Sequence, residues 1–173
     1  MYVKISLLPE RSCRMRKLKL YLDTSTISHL FAKDTPEKMN DTHILWDDLV
    51  NGKYEIFISP VVIDEIRKCP EPRQGMMFEK LDQLNFQVLK ETNDIFLLAD
   101  EYIKGGVLCE KSRDDCLHIA YAVVYNCDAI VSWNFRHLVN FKTINKIRVV
   151  NTIHMYKEIG IISPTMLIEE EEE

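Results

Sequence analysis

No C-x-x-C pair occurs among the five cysteines (Cys13, Cys69, Cys109, Cys116 and Cys127), and an odd number cannot all be paired. That excludes a complete disulfide framework, argues against a structural zinc and favours a reducing cytoplasm. No apolar run approaches the roughly 18–20 residues of a membrane helix, so no membrane role is expected. The opening MYVKISLLPERSCR has one weak apolar patch and no convincing cleavage site, which argues against secretion. Internal repeats and a dividing linker are missing too, which leaves one domain long enough for a proper core. Finally, the body lacks an excess of either charge. The net charge of −5 equals the five consecutive glutamates at residues 169–173, and such a run is usually just solvated. Arg136, Lys142, Lys146 and Arg148, and a second basic group around Arg16, could meet phosphates, although a solvated face is the commoner meaning.

What is present centres on residues 113–134, RDDCLHIAYAVVYNCDAIVSWN. An acidic pair opens a mostly apolar helix that breaks at Asn126-Cys127-Asp128. A short apolar strand, Ala129-Ile130-Val131, then delivers Ser132-Trp133-Asn134 at its end. In open α/β sheets, ligands collect at the carboxyl ends of strands. Upstream, strands are expected at residues 17–22, 54–58 and 86–89, and another downstream at 147–150. Helices are expected at 26–31 (with Thr24 or Ser25 as N-cap), 36–50, from Ser59-Pro60 through Ile66, 76–84, 93–104 and 152–159. This alternation predicts an α/β fold with a mostly parallel sheet and helices on both faces.

Three acids stand where strand-end geometry would let them converge. Asp23 closes the first strand, Glu65 lies one to two turns into the helix after the second, and Asp115 starts the central helix. A single acid is more often a cap or an exposed charge, but one placed directly after an apolar strand is badly placed for a core. Gathered carboxylates repel one another unless a hard cation joins them. Oxygen donors without paired His or Cys point to Mg²⁺ or Mn²⁺.

Four segments then occur in order: L-D-T-S at 22–25, S-P-V-V-I-D-E-I at 59–66, D-D-C-L-H-I-A-Y-A at 114–122 and S-W-N-F-R-H-L at 132–138. Together they resemble the PIN-domain family, over residues 17–160. The resemblance implies a three-layer α/β/α sandwich with a parallel sheet of four or five strands. It also implies a metal-dependent endoribonuclease with one or two Mg²⁺ or Mn²⁺ ions at an acidic site. Toxins of toxin–antitoxin pairs belong to this family, so RNA as substrate, an antitoxin as partner and a homodimer are implied as well. The family acids fall on Asp23, Glu65 and Asp115, with Asp114 as the adjacent acid. The fourth falls on Asn134, whose neutral amide oxygen could still ligate but brings one negative charge less.

Ser25 and Ser132 are expected to donate to phosphate or metal-bound water. Arg136 and His137 are expected near phosphate, and Trp133 and Phe135 could stack a base. His118 is read as a packing histidine of the central helix. Residues 1–14 are expected to be a dispensable extension, 15–162 the nuclease domain and 163–173 an acidic tail. Two rivals remain. Asn134 favours a weakened PIN domain that only binds RNA or protein. An aspartyl phosphohydrolase would want an acid where Ser25 stands.

Overall fold

The structure, a computed structural model, describes residues 16–168. The expectations for residues 1–14 and for the glutamate run lie outside the described residues. The chain builds a five-stranded, all-parallel sheet in the order β3-β2-β1-β4-β5. Its strands are β1 (Lys19–Leu22), β2 (Glu55–Ile58), β3 (Phe86–Val88), β4 (Ala129–Val131) and β5 (Gly160–Ile162). Helices α1 (Thr24–Ser28), α2 (Pro36–Val50), α3 (Pro60–Arg67), α4 (Arg73–Leu81), α5 (Asn93–Lys104), α6 (Arg113–Val124) and α7 (Phe141–Ile153) complete the α/β/α sandwich. All three residues of β4 are buried, as expected of a central strand covered on both faces. Among the described residues no helix is long and apolar enough to cross a membrane.

Strand order locates the site. From β1 the chain steps outward to β2 and β3, then returns to place β4 on the other side of β1. The reversal opens a crevice at the carboxyl ends of β1 and β4, where such sheets bind ligands. Asp23 and Ser132 are the residues directly after those two strands.

The segment after β4 corrects the expected order of elements. Residues 147–150 are not a strand and 152–159 are not the last helix; α7 runs through Phe141–Ile153, and the last strand is Gly160–Ile162. The β-branched Ile147, Val149 and Val150 suggested a strand, but Thr143, Ile147, Val150 and Asn151 are the buried positions, the i, i+4, i+7, i+8 spacing of a helix face. Asn140 caps this helix by accepting the Thr143 N–H at 2.9 Å. Gly160 lets β5 approach closely, since a Cβ there would stand 3.2 Å from that of Ala129. Residues 164–167, expected in the acidic tail, form a 3₁₀ turn, and Thr165 Oγ1 donates to Asp41 of α2 at 2.9 Å.

Two helix starts also differ in detail. Asp23, not Thr24 or Ser25, occupies the N-cap position of α1, and its side chain makes no cap bond. Ser59 does stand at the N-cap of α3 with Pro60 next, but its hydroxyl lies 2.6 Å from the Tyr21 hydroxyl instead of capping. In both places a polar side chain that could have closed a helix is used on the site.

Candidate metal centre

A cleft of about 750 Å³ lies at the crevice, and four carboxylates line it: Asp23, Glu65, Asp114 and Asp115. Asp23 is only 5% exposed. Its Oδ2 accepts from Ser25 Oγ at 2.7 Å and from Ser132 Oγ at 2.5 Å. The serines are themselves fixed: Ser25 Oγ accepts the Trp133 N–H and Ser132 Oγ accepts the Asn134 N–H, each at 2.9 Å. Asp23 Oδ1 accepts no hydrogen bond from the described residues; the nearest cationic atom is His118 Nε2 at 3.8 Å. A buried carboxylate with one oxygen held and the other unengaged fits a cation ligand.

Glu65 comes from the middle of α3. Its Oε2 accepts from the Thr24 hydroxyl and from His118 Nε2, the latter at 3.2 Å. Oδ or Oε atoms of Asp23 and Glu65 and a ring nitrogen of His118 all lie within 4.8 Å of one another. His118 is therefore a member of the acid cluster, not just a packing side chain. Its spacing three residues after Asp115, nearly the same helix face, was the signal for this in the sequence. Because a carboxylate oxygen only accepts, the contact with Glu65 places a proton on His118 Nε2. The other ring nitrogen lies 2.7 Å from the Tyr21 hydroxyl, so a buried chain runs Ser59–Tyr21–His118–Glu65.

Burial would push the His118 pKa down, but Glu65, Asp23 and Asp115 outweigh it and the pKa is raised. Burial likewise works against ionisation of Glu65, yet His118 and Thr24 hold its pKa below the ordinary value. The two shifts describe one ion pair. Should a cation take the place of the His118 proton between these acids, Nε2 would be released as a nitrogen donor. The donor set thus extends beyond oxygen.

Asp115 lines the same cleft but is turned toward the loop after β4. Asn134 Nδ2 donates to its Oδ1 at 2.9 Å, and His137 Nδ1 donates to its Oδ2 at 2.7 Å. Asn134 Oδ1 accepts the His137 main-chain N–H at 3.0 Å. An N–H can only donate, so this bond fixes the amide orientation. Asn134 therefore presents its nitrogen to the acid wall, not the oxygen that a ligand role requires. Ser112 Oγ lies 3.2 Å from the same His137 nitrogen. Asp114 is exposed and Asp115 half-buried, and Arg136 is exposed. Lys68 and Arg73 line the cleft beside the acids.

Two expectations follow from this geometry. Asp115→Asn should weaken Mn²⁺ binding by about ten- to a hundredfold, the range seen when groups around a metal are lost, whereas Asp114→Asn should cost much less. Calorimetry of the two variants decides it, and reversed sensitivities would move the acid by one residue. For Asn134→Asp, the new carboxylate would face Asp115. Unit charges about 4 Å apart repel by about 4 kcal/mol at an effective dielectric near 20, before screening by solvent. Metal-free Asn134→Asp should melt below the wild type, and Mn²⁺ should raise its Tm by more than it raises that of the wild type. Equal Mn²⁺ shifts would place residue 134 outside the metal's reach.

A family model described as PIN domain matches residues 20–138. The fold is similar to the crystal structure of VapBC2 from Rickettsia felis bound to a promoter DNA fragment (TM-score 0.53, 16% identity, covering 84% of this chain and 98% of that one). It is equally similar to DNA-bound VapBC from Salmonella typhimurium (TM-score 0.53, 16% identity, 85% and 98% covered). At this identity the likeness concerns the fold alone. No curated protein matches the sequence.

Proposed function

The chain belongs to the PIN-domain family, and from that premise we propose that it is a metal-dependent endoribonuclease. The observation that carries this reading is Asp23, buried at the strand crossover, with Oδ2 held by two serines, Oδ1 3.8 Å from His118 Nε2, and Glu65 in the same cluster. Asp23 and Glu65 would hold Mg²⁺ or Mn²⁺. When bound, such an ion supplies a water of lowered pKa and offsets charge on the phosphate.

The chain's own residues do the rest. Ser25 and Ser132 keep Asp23 from rotating. Asn134 and His137 orient Asp115, which takes the proton of the attacking water. Lys68 and Arg73 meet phosphates on either side of the scissile bond, as cations do in any sequence-independent contact with nucleic acid. Water adds to phosphorus, the bond to the 3′ oxygen breaks and that oxygen takes a proton from solvent, leaving 5′-phosphate and 3′-hydroxyl ends. A toxin role, an antitoxin partner, a homodimer and a cytoplasmic location belong to the same reading. The VapBC neighbours, both of them DNA-bound structures, support the toxin–antitoxin part by likeness of fold.

The direct test is incubation of a labelled single-stranded RNA with the protein in Mn²⁺ and, separately, in a chelator. Cleavage to 5′-phosphate products in Mn²⁺ alone is expected. A second reading is favoured by Asn134, whose oxygen is committed to His137 and leaves the site one ligand short. Under that reading the protein is a PIN-derived binding module, and the same RNA would be retained on the protein uncut.

A further inference from the structure

Beside the acids stands a group of rings that the proposed chemistry does not use. Trp133 lines the cleft and is nearly buried, with Nε1 donating to Thr42 Oγ1 at 2.8 Å, so its plane is fixed. Phe135 packs on it with ring centroids 5.9 Å apart, yet remains 45% exposed. Lys38 Nζ stands 5.4 Å from the Trp133 ring centroid and 5.0 Å from that of Phe135. It has no ion-pair partner among the described residues. On the cleft side His29 leans on Trp133 at 5.6 Å and 31°.

His29 Nδ1 donates to the Ser25 carbonyl at 2.7 Å, since that oxygen can only accept. Burial lowers the His29 pKa, which leaves the ring neutral and Nε2 an acceptor. Phe135 is one peptide bond from Asn134, the residue that holds Asp115. Trp133 and His29 thus line the acidic cleft, and an exposed ring and a cation stand next to them, both against Trp133. A packing role explains Trp133 but not the exposure of Phe135, and flat aromatic faces with cations are what a nucleobase stacks on.

We propose that this ledge is a nucleobase subsite. The base beside the scissile phosphate lies against Phe135 at the mouth of the cleft. Lys38 supplies the cation over the ring pair, and His29 Nε2 accepts an N–H from the edge of the base. The inference rests on the nuclease reading, because it takes the acids as the place of the phosphate.

Its test separates base from phosphate. Binding of adenosine 5′-monophosphate and of ribose 5-phosphate is measured by calorimetry in Mn²⁺ for the wild type, Phe135→Ala and Phe135→Tyr. The wild type should bind the nucleotide more tightly than the sugar phosphate. Phe135→Ala should weaken nucleotide binding by about tenfold, within the range for loss of one stacked base, and leave the sugar phosphate unchanged. Phe135→Tyr should keep the preference. An unaltered Mn²⁺ shift in Tm shows that each variant is folded with its acids in place. Equal binding of both ligands by the wild type, or nucleotide binding undiminished in Phe135→Ala, overturns the subsite alone. Binding of neither ligand overturns the nuclease reading and the subsite with it.

Discussion

Asp23→Asn should reduce Mn²⁺-dependent RNA cleavage by at least about a hundredfold, beyond the usual effect of altering groups around a metal. The substitution conserves volume, so the reason is chemical. Two hydroxyls donate to Asp23 Oδ2, and in the variant the amide oxygen would take that place. The amide nitrogen would then point to where Oδ1 now faces His118, within the cluster that includes Glu65. A donor group in that position repels a cation instead of ligating it. The same variant should lose the rise in Tm that Mn²⁺ gives the wild type by mass action. Initial rates and paired melting curves measure both. Full activity, or an undiminished Mn²⁺ shift, would take Asp23 out of the site.

His118→Ala should destabilise the metal-free protein by about 3 kcal/mol or more. Removing one member of a buried ion pair leaves the other charge without compensation, and a cavity adds to the cost. Here Asp23 and Glu65 would lose their shared imidazolium, and the Tyr21 hydroxyl would lose one partner. The loss should depend on pH with a definite sign. His118 has a raised pKa, so its contribution is complete below the ordinary value of 6.5 and disappears as pH rises through the folded value. Glu65 has a lowered pKa, so its contribution is complete above the ordinary 4.5 and disappears as pH falls through the folded value. Urea denaturation in chelator should therefore show the largest gap between wild type and variant between pH 4.5 and 6.5. A gap that stayed constant up to pH 9 would mean that His118 is held neutral and serves only as packing.

The ion pair also bears on how the site could be loaded. A cation near Asp23 and Glu65 competes with the His118 proton for the same carboxylate oxygens. Tyr21 and Ser59 keep the ring in place whichever of the two is present, since hydroxyls can donate or accept.

Much of this molecule is written in short-range pattern. The strand from Ala129 to Val131 and the helices Pro36–Val50 and Asn93–Lys104 follow from apolar runs, Pro at a helix start and Gly at a helix end, because those signals act within a few residues. The alternation of strands and helices implied a parallel sheet, and the four segments in order implied the PIN family. Residues 147–150 suit a strand locally because Ile147, Val149 and Val150 are β-branched, while the buried face of α7 is chosen by what it packs against.

At the site, sequence named Asp23, Glu65 and Asp115 as candidate acids, and the fold brings all three to one cleft. It did not indicate which acids touch. That His118 joins Asp23 and Glu65, while Asp115 turns to Asn134 and His137, was decided by β1 and β4 lying side by side. The orientation of Asn134 likewise depends on one main-chain N–H three residues on. Residues up to 109 positions apart meet here, and no local propensity carries that information. Hydrogen bonds and ion pairs depend on ångström-scale distances, which are set only when the whole sheet is assembled.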